Sequence, residues 1–458
     1  MQIYPCILQK IIYNVLVKRK ILAELLEWKD SSERKPLILQ GARQIGKTYI
    51  VSYFAGMAYK NSVYCNFEKE KKLASLFTNL LPKEILANLA ALKRQQILPK
   101  ETLIIFDEIQ ACPEALTSLK YFCEEANEYH IIAMGSLLGV SVNRGENSFP
   151  VGKVQFMDMF PMDFEEYLWA REEDVLIKRI RDCYDNSSPL EEALHEKALA
   201  LYKEYLFIGG MPAVVSDYIK NENAQLASII QDEILEAYLN DMGKYNKKSE
   251  ISKTRLVYRN ISTQLSKENR KFQYKYIKSG GRASEFEDAI EWVCLAGIAK
   301  RVFKLEHVKL PLQANSSDSD FKFYMSDTGL CCRIQDLLIE DVLYDNPLLH
   351  DFKGGLTENY VCSQLTANGL KLFYWTSGNQ AEVDFISRIG QNIIPIEVKA
   401  AAHTQSKSLS VYTATYKPEY CIRISAKNFG FENGIKSVPL YAVFCIKFDN
   451  KLPCQVRQ

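Results

Sequence analysis

The stretch "LILQGARQIGKTYI", residues 37–50, constrains the chain more than any other. A buried apolar run ends at Gly41, four residues separate Gly41 from Gly46, and Lys47-Thr48 then opens a helical pattern. Such a strand, glycine loop and helix curl successive backbone N–H groups, from Gly41, Ala42, Arg43, Gln44, Ile45 and Gly46 to Lys47, Thr48 and Tyr49, around a phosphate-sized anion at a helix N-terminus. In this arrangement Lys47 bridges the terminal phosphates of a nucleotide and Thr48 ligates magnesium.

The surrounding sequence gives the loop a sheet to stand on. Short continuous apolar runs, "PLILQ", "SVYCNF", "TLIIF" and "HIIAM", alternate with helical stretches, which predicts a parallel sheet buried on both faces. "TLIIFDEIQ" places Asp107 at the carboxyl end of its strand, where open α/β sheets bind ligands. Asp107 is expected to hold the magnesium and Glu108 to polarise an attacking water. An acidic pair that only opens a helix is the competing explanation. The strand "HIIAM" is expected beside these two, delivering Ser136 towards the terminal phosphate, while Arg144 and Lys153 are cations that reach a nucleotide in cis or across a subunit contact.

With 458 residues and a net charge of +1, the chain is long enough for several cores and is not a polycation as a whole. The 12 cysteines form no CxxC pair, which points to a reducing compartment rather than a zinc site. Lys10, Lys18, Arg19 and Lys20 break the apolar N-terminus, and no window has the ~18 uncharged apolar residues of a membrane span, so a cytoplasmic protein without membrane contact is expected.

The phosphate loop, "FDEIQ", the Gly-Ser after "HIIAM", "SFPVGKV" and "GGMP" together resemble the prokaryotic AAA-type ATPases allied to the archaeal and STAND groups, specifically a bacterial family with a C-terminal domain of unknown function. The resemblance implies ATP and Mg²⁺ as ligands. It also implies that the Gly-x-Pro turn, here Gly210, Met211 and Pro212, approaches the nucleotide; the residues alone say only that a helix kinks there.

Helical periodicity over 191–243 predicts a small lid after an ATPase domain at 1–190. From Lys244 to Arg282 there are twelve Lys or Arg against two Glu, interleaved with Tyr245, Tyr258, Phe272, Tyr274 and Tyr276. With the helix and strand that follow, residues 244–312 resemble a winged-helix module, which implies contact with nucleic acid phosphates; a solvated face or a contact with a protein partner or homo-oligomer is the alternative. "PLQANSSDSD" is polar and reads as a loop.

In the remainder, 321–458, alternation puts Glu382 with Asp384 on one strand and Glu397 with Lys399 on the next. The turn "RIGQ" makes these strands neighbours. Carboxylates that converge repel one another unless a cation neutralises them. The order of helix, three strands, helix and strand resembles the PD-(D/E)XK nuclease core, which implies Glu358, Asp384 and Glu397 as ligands of Mg²⁺ or Mn²⁺ and Lys399 as the lysine that positions water. A salt-bridged pair of strands without activity is the other explanation. The expectation is therefore an α/β chain: a P-loop NTPase (AAA-type) parallel-sheet domain, a helical lid, a winged-helix-like module and a restriction-endonuclease-like domain. Nucleotide state would control the C-terminal region, either as an enzyme acting on nucleic acid or as a STAND-like switch with an inactive docking domain.

Overall fold

The computed structural model describes residues 18–135, 150–245, 248–267, 271–344, 346–378, 381–400 and 407–448. Two units emerge, one of residues 1–160 with 295–297, the other of residues 161–294 with 298–458. Described cysteines are free thiols, and among the described residues no helix is long and apolar enough to cross a membrane.

In the first unit, β1 (Leu37–Gln40), β2 (Asn61–Asn66), β3 (Thr102–Asp107), β4 (His130–Met134) and β5 (Gln155–Asp158) form one sheet in the order β2-β3-β4-β1-β5. All pairings are parallel. Every residue of β3 is buried, as a strand covered on both faces requires. The helix Pro113–Glu125 starts with proline at its first turn, where the missing N–H costs nothing, and buries Ala115, Leu119 and Phe122 on the sheet. Phe67, Phe77 and Phe106 meet edge to face with centroids 5.4–5.5 Å apart. Full burial of side chains of this size contributes about 1.5–3 kcal/mol each. The result is a rigid floor whose strand ends carry the loop.

The second unit joins helices of residues 164–265 to an eight-stranded mixed sheet. Its strands are β6 (Ala299–Leu305), β7 (Ser316–Met325), β8 (Phe373–Thr376), β9 (Glu382–Ile389), β10 (Asn392–Val398), β11 (Cys421–Ser425), β12 (Gly430–Glu432) and β13 (Ile435–Pro439), in the order β12-β13-β11-β10-β9-β8-β6-β7. Three expectations change here. The boundary expected between 312 and 321 falls inside this sheet, because β6 pairs with both β7 and β8. The second half of the stretch read as a polar loop is the start of β7, an edge strand whose Asp318 and Ser319 face solvent. Edge strands tolerate such polarity because one side needs no covering. The helices expected as a separate lid share this unit with the sheet: His195 Nδ1 lies 2.9 Å from the Tyr441 hydroxyl, and Arg333 Nε donates to Asp232 at 2.7 Å.

Candidate functional site

The loop between β1 and the helix Lys47–Ala58 takes the conformation its glycines allow. Gly46, at φ 92°, sits at the N-cap of that helix in the left-handed region. Gly41 passes so close to the chain at Met159 that an added Cβ would lie 2.1 Å from the Met159 carbonyl oxygen. The Lys47 ammonium is turned into the loop, donating to the carbonyls of Gly41 at 2.8 Å and Ala42 at 2.7 Å. Burial lowers its pKa to about 8, against the opposing pull of Glu108 and Asp107. Arg19 supports the loop from behind, donating to the Ile45 carbonyl at 3.1 Å and to the Phe160 carbonyl at 2.8 Å.

Asp107 emerges at the end of β3, and the Thr48 hydroxyl donates to its Oδ2 at 3.3 Å. Two oxygen ligands of the kind a small divalent cation takes are therefore side by side, next to a lysine. Glu108 follows at φ 50° and accepts from Gln110. The neighbouring strand supplies two groups that sequence reading missed. Tyr64 OH donates to Asp107 Oδ2, and Asn66 Nδ2 does so at 3.4 Å. The signal was present in "SVYCNF", where polar residues stand near the carboxyl end of an otherwise apolar strand. As expected, β4 lies between β1 and β3; Ser136 and Arg144 lie outside the described residues. Lys153 pairs with Glu124 at 2.9 Å.

The Gly-x-Pro turn is explained within its own unit. An added Cβ on Gly210 would lie 1.9 Å from the Met162 carbonyl oxygen. Gly210 N donates to Asp327 at 2.6 Å, Leu330 N donates to the same carboxylate at 2.8 Å, and Pro212 opens the helix Pro212–Asn221. Burial pushes the Asp327 carboxyl up to about 6.

The C-terminal carboxylates gather around a lysine that the sequence did not point to. Lys322 of β7 lies among them, 2.8 Å from Glu358 Oε1, 2.5 Å from Glu382 Oε1 and 3.9 Å from Asp384 Oδ1. Asp384 Oδ2 accepts from Val398 N at 2.8 Å. Glu397 is engaged by Lys399 at 3.2 Å and Arg423 at 3.5 Å. Strand alternation did place Glu397 beside Lys399. Among the described residues no group of three or more His, Cys, Asp or Glu is placed to hold a metal ion.

Comparison with known proteins agrees with the class that the first unit defines. Residues 33–168 match the family model of an AAA domain. Residues 199–340 and 353–443 match two domains of unknown function, DUF8612 and DUF4143. No curated protein matches the chain. Similar solved structures include the ORC1 protein of Aeropyrum pernix in complex with DNA, at 13% identity, covering 74% of this chain and 97% of that one with a TM-score of 0.27. The ADPNP-ADP complexes of the ORC2 protein of Aeropyrum pernix align at 11% identity, 73% and 93% coverage and a TM-score of 0.34. The RuvB Holliday junction branch migration motor of Thermotoga maritima aligns at 14% identity, 62% and 90% coverage and a TM-score of 0.29.

Proposed function

We propose that the chain is a magnesium-dependent ATP hydrolase whose second unit responds to nucleotide state without cutting nucleic acid. The observation that carries the hydrolase reading is the adjacency of Thr48 and Asp107, 3.3 Å apart, beside the buried Lys47 at the carboxyl ends of β1 and β3. Backbone amides from Gly41 to Tyr49 and the Lys47 ammonium bind the phosphates of ATP. Thr48 and Asp107 would hold Mg²⁺, which when bound neutralises phosphate charge. Tyr64 and Asn66 orient the Asp107 carboxylate, and Glu108 takes the role of base for the attacking water. Ser136 and Arg144, which follow β4 in the chain, are assigned to the same site as a polar group and a cation that reach the terminal phosphate. Lys47→Ala is expected to abolish nucleotide binding by calorimetry, while Glu108→Gln keeps binding and loses turnover by at least 100-fold. Wild-type hydrolysis in both variants overturns this assignment.

The switch reading of the second unit is favoured over a nuclease by the position of Lys322. Its surface toward nucleic acid is assigned to the basic stretch. Arg255, Arg259, Lys267, Lys275 and Arg282 are exposed there, and the exposed ring of Tyr276 has the Lys267 and Lys275 ammonium groups 5.5 and 5.2 Å from its centroid. Cations around an exposed aromatic ring suit phosphates and a stacked base. Labelled duplex or single strands should bind with an affinity that falls steeply with salt and drops in Arg259→Ala/Lys275→Ala. With Mg²⁺ or Mn²⁺ no cleavage should appear. Cleavage that Asp384→Ala removes would restore the nuclease reading.

A further inference from the structure

The cluster of Glu358, Glu382 and Asp384 is built around a cation, but the cation belongs to the chain. Lys322 is 1% exposed and Glu358 is fully buried. A buried ammonium or carboxylate is retained in charged form only when its desolvation is offset by close, hydrogen-bonded partners. Lys322 has them: its nitrogen donates to Glu358 at 2.8 Å and lies 2.5 Å from Glu382 and 3.9 Å from Asp384, with the centroid of the Tyr374 ring 5.2 Å away. The acids are likewise engaged from other directions. Tyr324 OH donates to Glu358 Oε1 and Val398 N to Asp384 Oδ2.

Magnesium-type ions bind carboxylate oxygens at about 2.0–2.1 Å and larger ones at about 2.3–2.6 Å. The Lys322 nitrogen already lies 2.8 Å from the Glu358 oxygen and 2.5 Å from the Glu382 oxygen, so a positive charge is in direct contact with both acids. The lysine also comes from an unexpected strand. It enters from β7, separated from β9 by the two strands β8 and β6, whereas the lysine of the Glu-x-Lys pair, Lys399, is spent on Glu397.

We propose that Lys322 is the resident cation of this cluster. Its ammonium takes the place that a divalent metal takes in a nuclease-like site, and it ties β7, β9 and the helix His350–Ala367 together without a metal. The inference deepens the non-cleaving reading of the second unit and is independent of ATP hydrolysis. Loss of the hydrolase assignment would leave it standing.

The test is a titration of nucleotide-free, full-length protein with MnCl₂, followed by calorimetry and by the melting temperature. Wild type and Asp384→Asn should give superimposable isotherms, with no stoichiometric site that depends on Asp384. Lys322→Ala should melt at a lower temperature, gain one Mn²⁺ site at least tenfold tighter than any in wild type, and regain part of its melting temperature as Mn²⁺ fills it. Adding Asp384→Asn to Lys322→Ala should weaken that site. Stoichiometric Mn²⁺ binding by wild type that Asp384→Asn abolishes overturns the proposal, as does a folded Lys322→Ala variant that takes up no Mn²⁺. If Lys322→Ala does not fold, the comparison of wild type with Asp384→Asn and Glu382→Gln still decides, because Glu382 is 42% exposed and its neutral amide leaves the buried Lys322–Glu358 pair in place.

Discussion

Lys47 and Lys322 are both buried lysines beside carboxylates, yet their surroundings give them opposite prospects. Lys47 donates to two neutral carbonyls of its own loop, and the nearest acids act on it only through space. Its partners are easily exchanged for a ligand that carries more charge. Lys322 is held directly by Glu358 and Glu382, so any incoming cation must first displace a covalently attached one. A lysine satisfied by backbone dipoles is ready for an anion, whereas a lysine satisfied by carboxylates is part of the framework.

Removing the framework lysine should have the larger effect on stability. Lys322→Met leaves Glu358 buried without its counter-charge, and breaking a buried pair in this way costs about 3–5 kcal/mol. Urea unfolding should show the loss in the transition of the second unit. A change under 1 kcal/mol would erase the distinction drawn between the two lysines. The corresponding test on Lys47 concerns protons. Its pKa of about 8 lies below the ordinary lysine value of 10.5, so the free protein is partly deprotonated as pH rises through 8. Phosphate favours the ammonium form, so ATP binding should take up protons and weaken above pH 8. Calorimetry at pH 8.5 in buffers of different ionisation enthalpy measures the uptake, and zero uptake contradicts the lowered value. The smallest effect is expected from Tyr64→Phe, which removes one hydrogen bond to Asp107, worth about 1 kcal/mol on average. Turnover should fall by no more than about tenfold while ATP binding persists.

The first site was legible because its chemistry is local. Residues 37–50 carry strand, loop and helix in one uninterrupted stretch, and "TLIIFDEIQ" marks its own strand end. Strand periodicity also put Glu397 beside Lys399, which the structure keeps at 3.2 Å. Lys322 was not legible for a matching reason. Its partners lie 36 and 60 residues away along the chain, and nothing in "DFKFYM" says which acids its strand will face. The polar opening of β7 disguised an edge strand as a loop, and with it the continuity of the eight-stranded sheet. Tyr64 and Asn66 were missed because they act from the strand next to Asp107, a neighbour relation that only sheet order reveals.

The way β6 enters its sheet also governs the order of events as the chain leaves the ribosome. The five strands of the first sheet are all synthesised by Asp158, so that sheet can assemble early. Strand β6 has to wait for β8, some seventy residues later, and the Leu190 backbone is bracketed by Asn428. Loop closure over such separations slows folding. A nascent polypeptide arrested near residue 345 would therefore carry a finished first sheet and a row of helices still exposing apolar surface, the species for which a chaperone has most use.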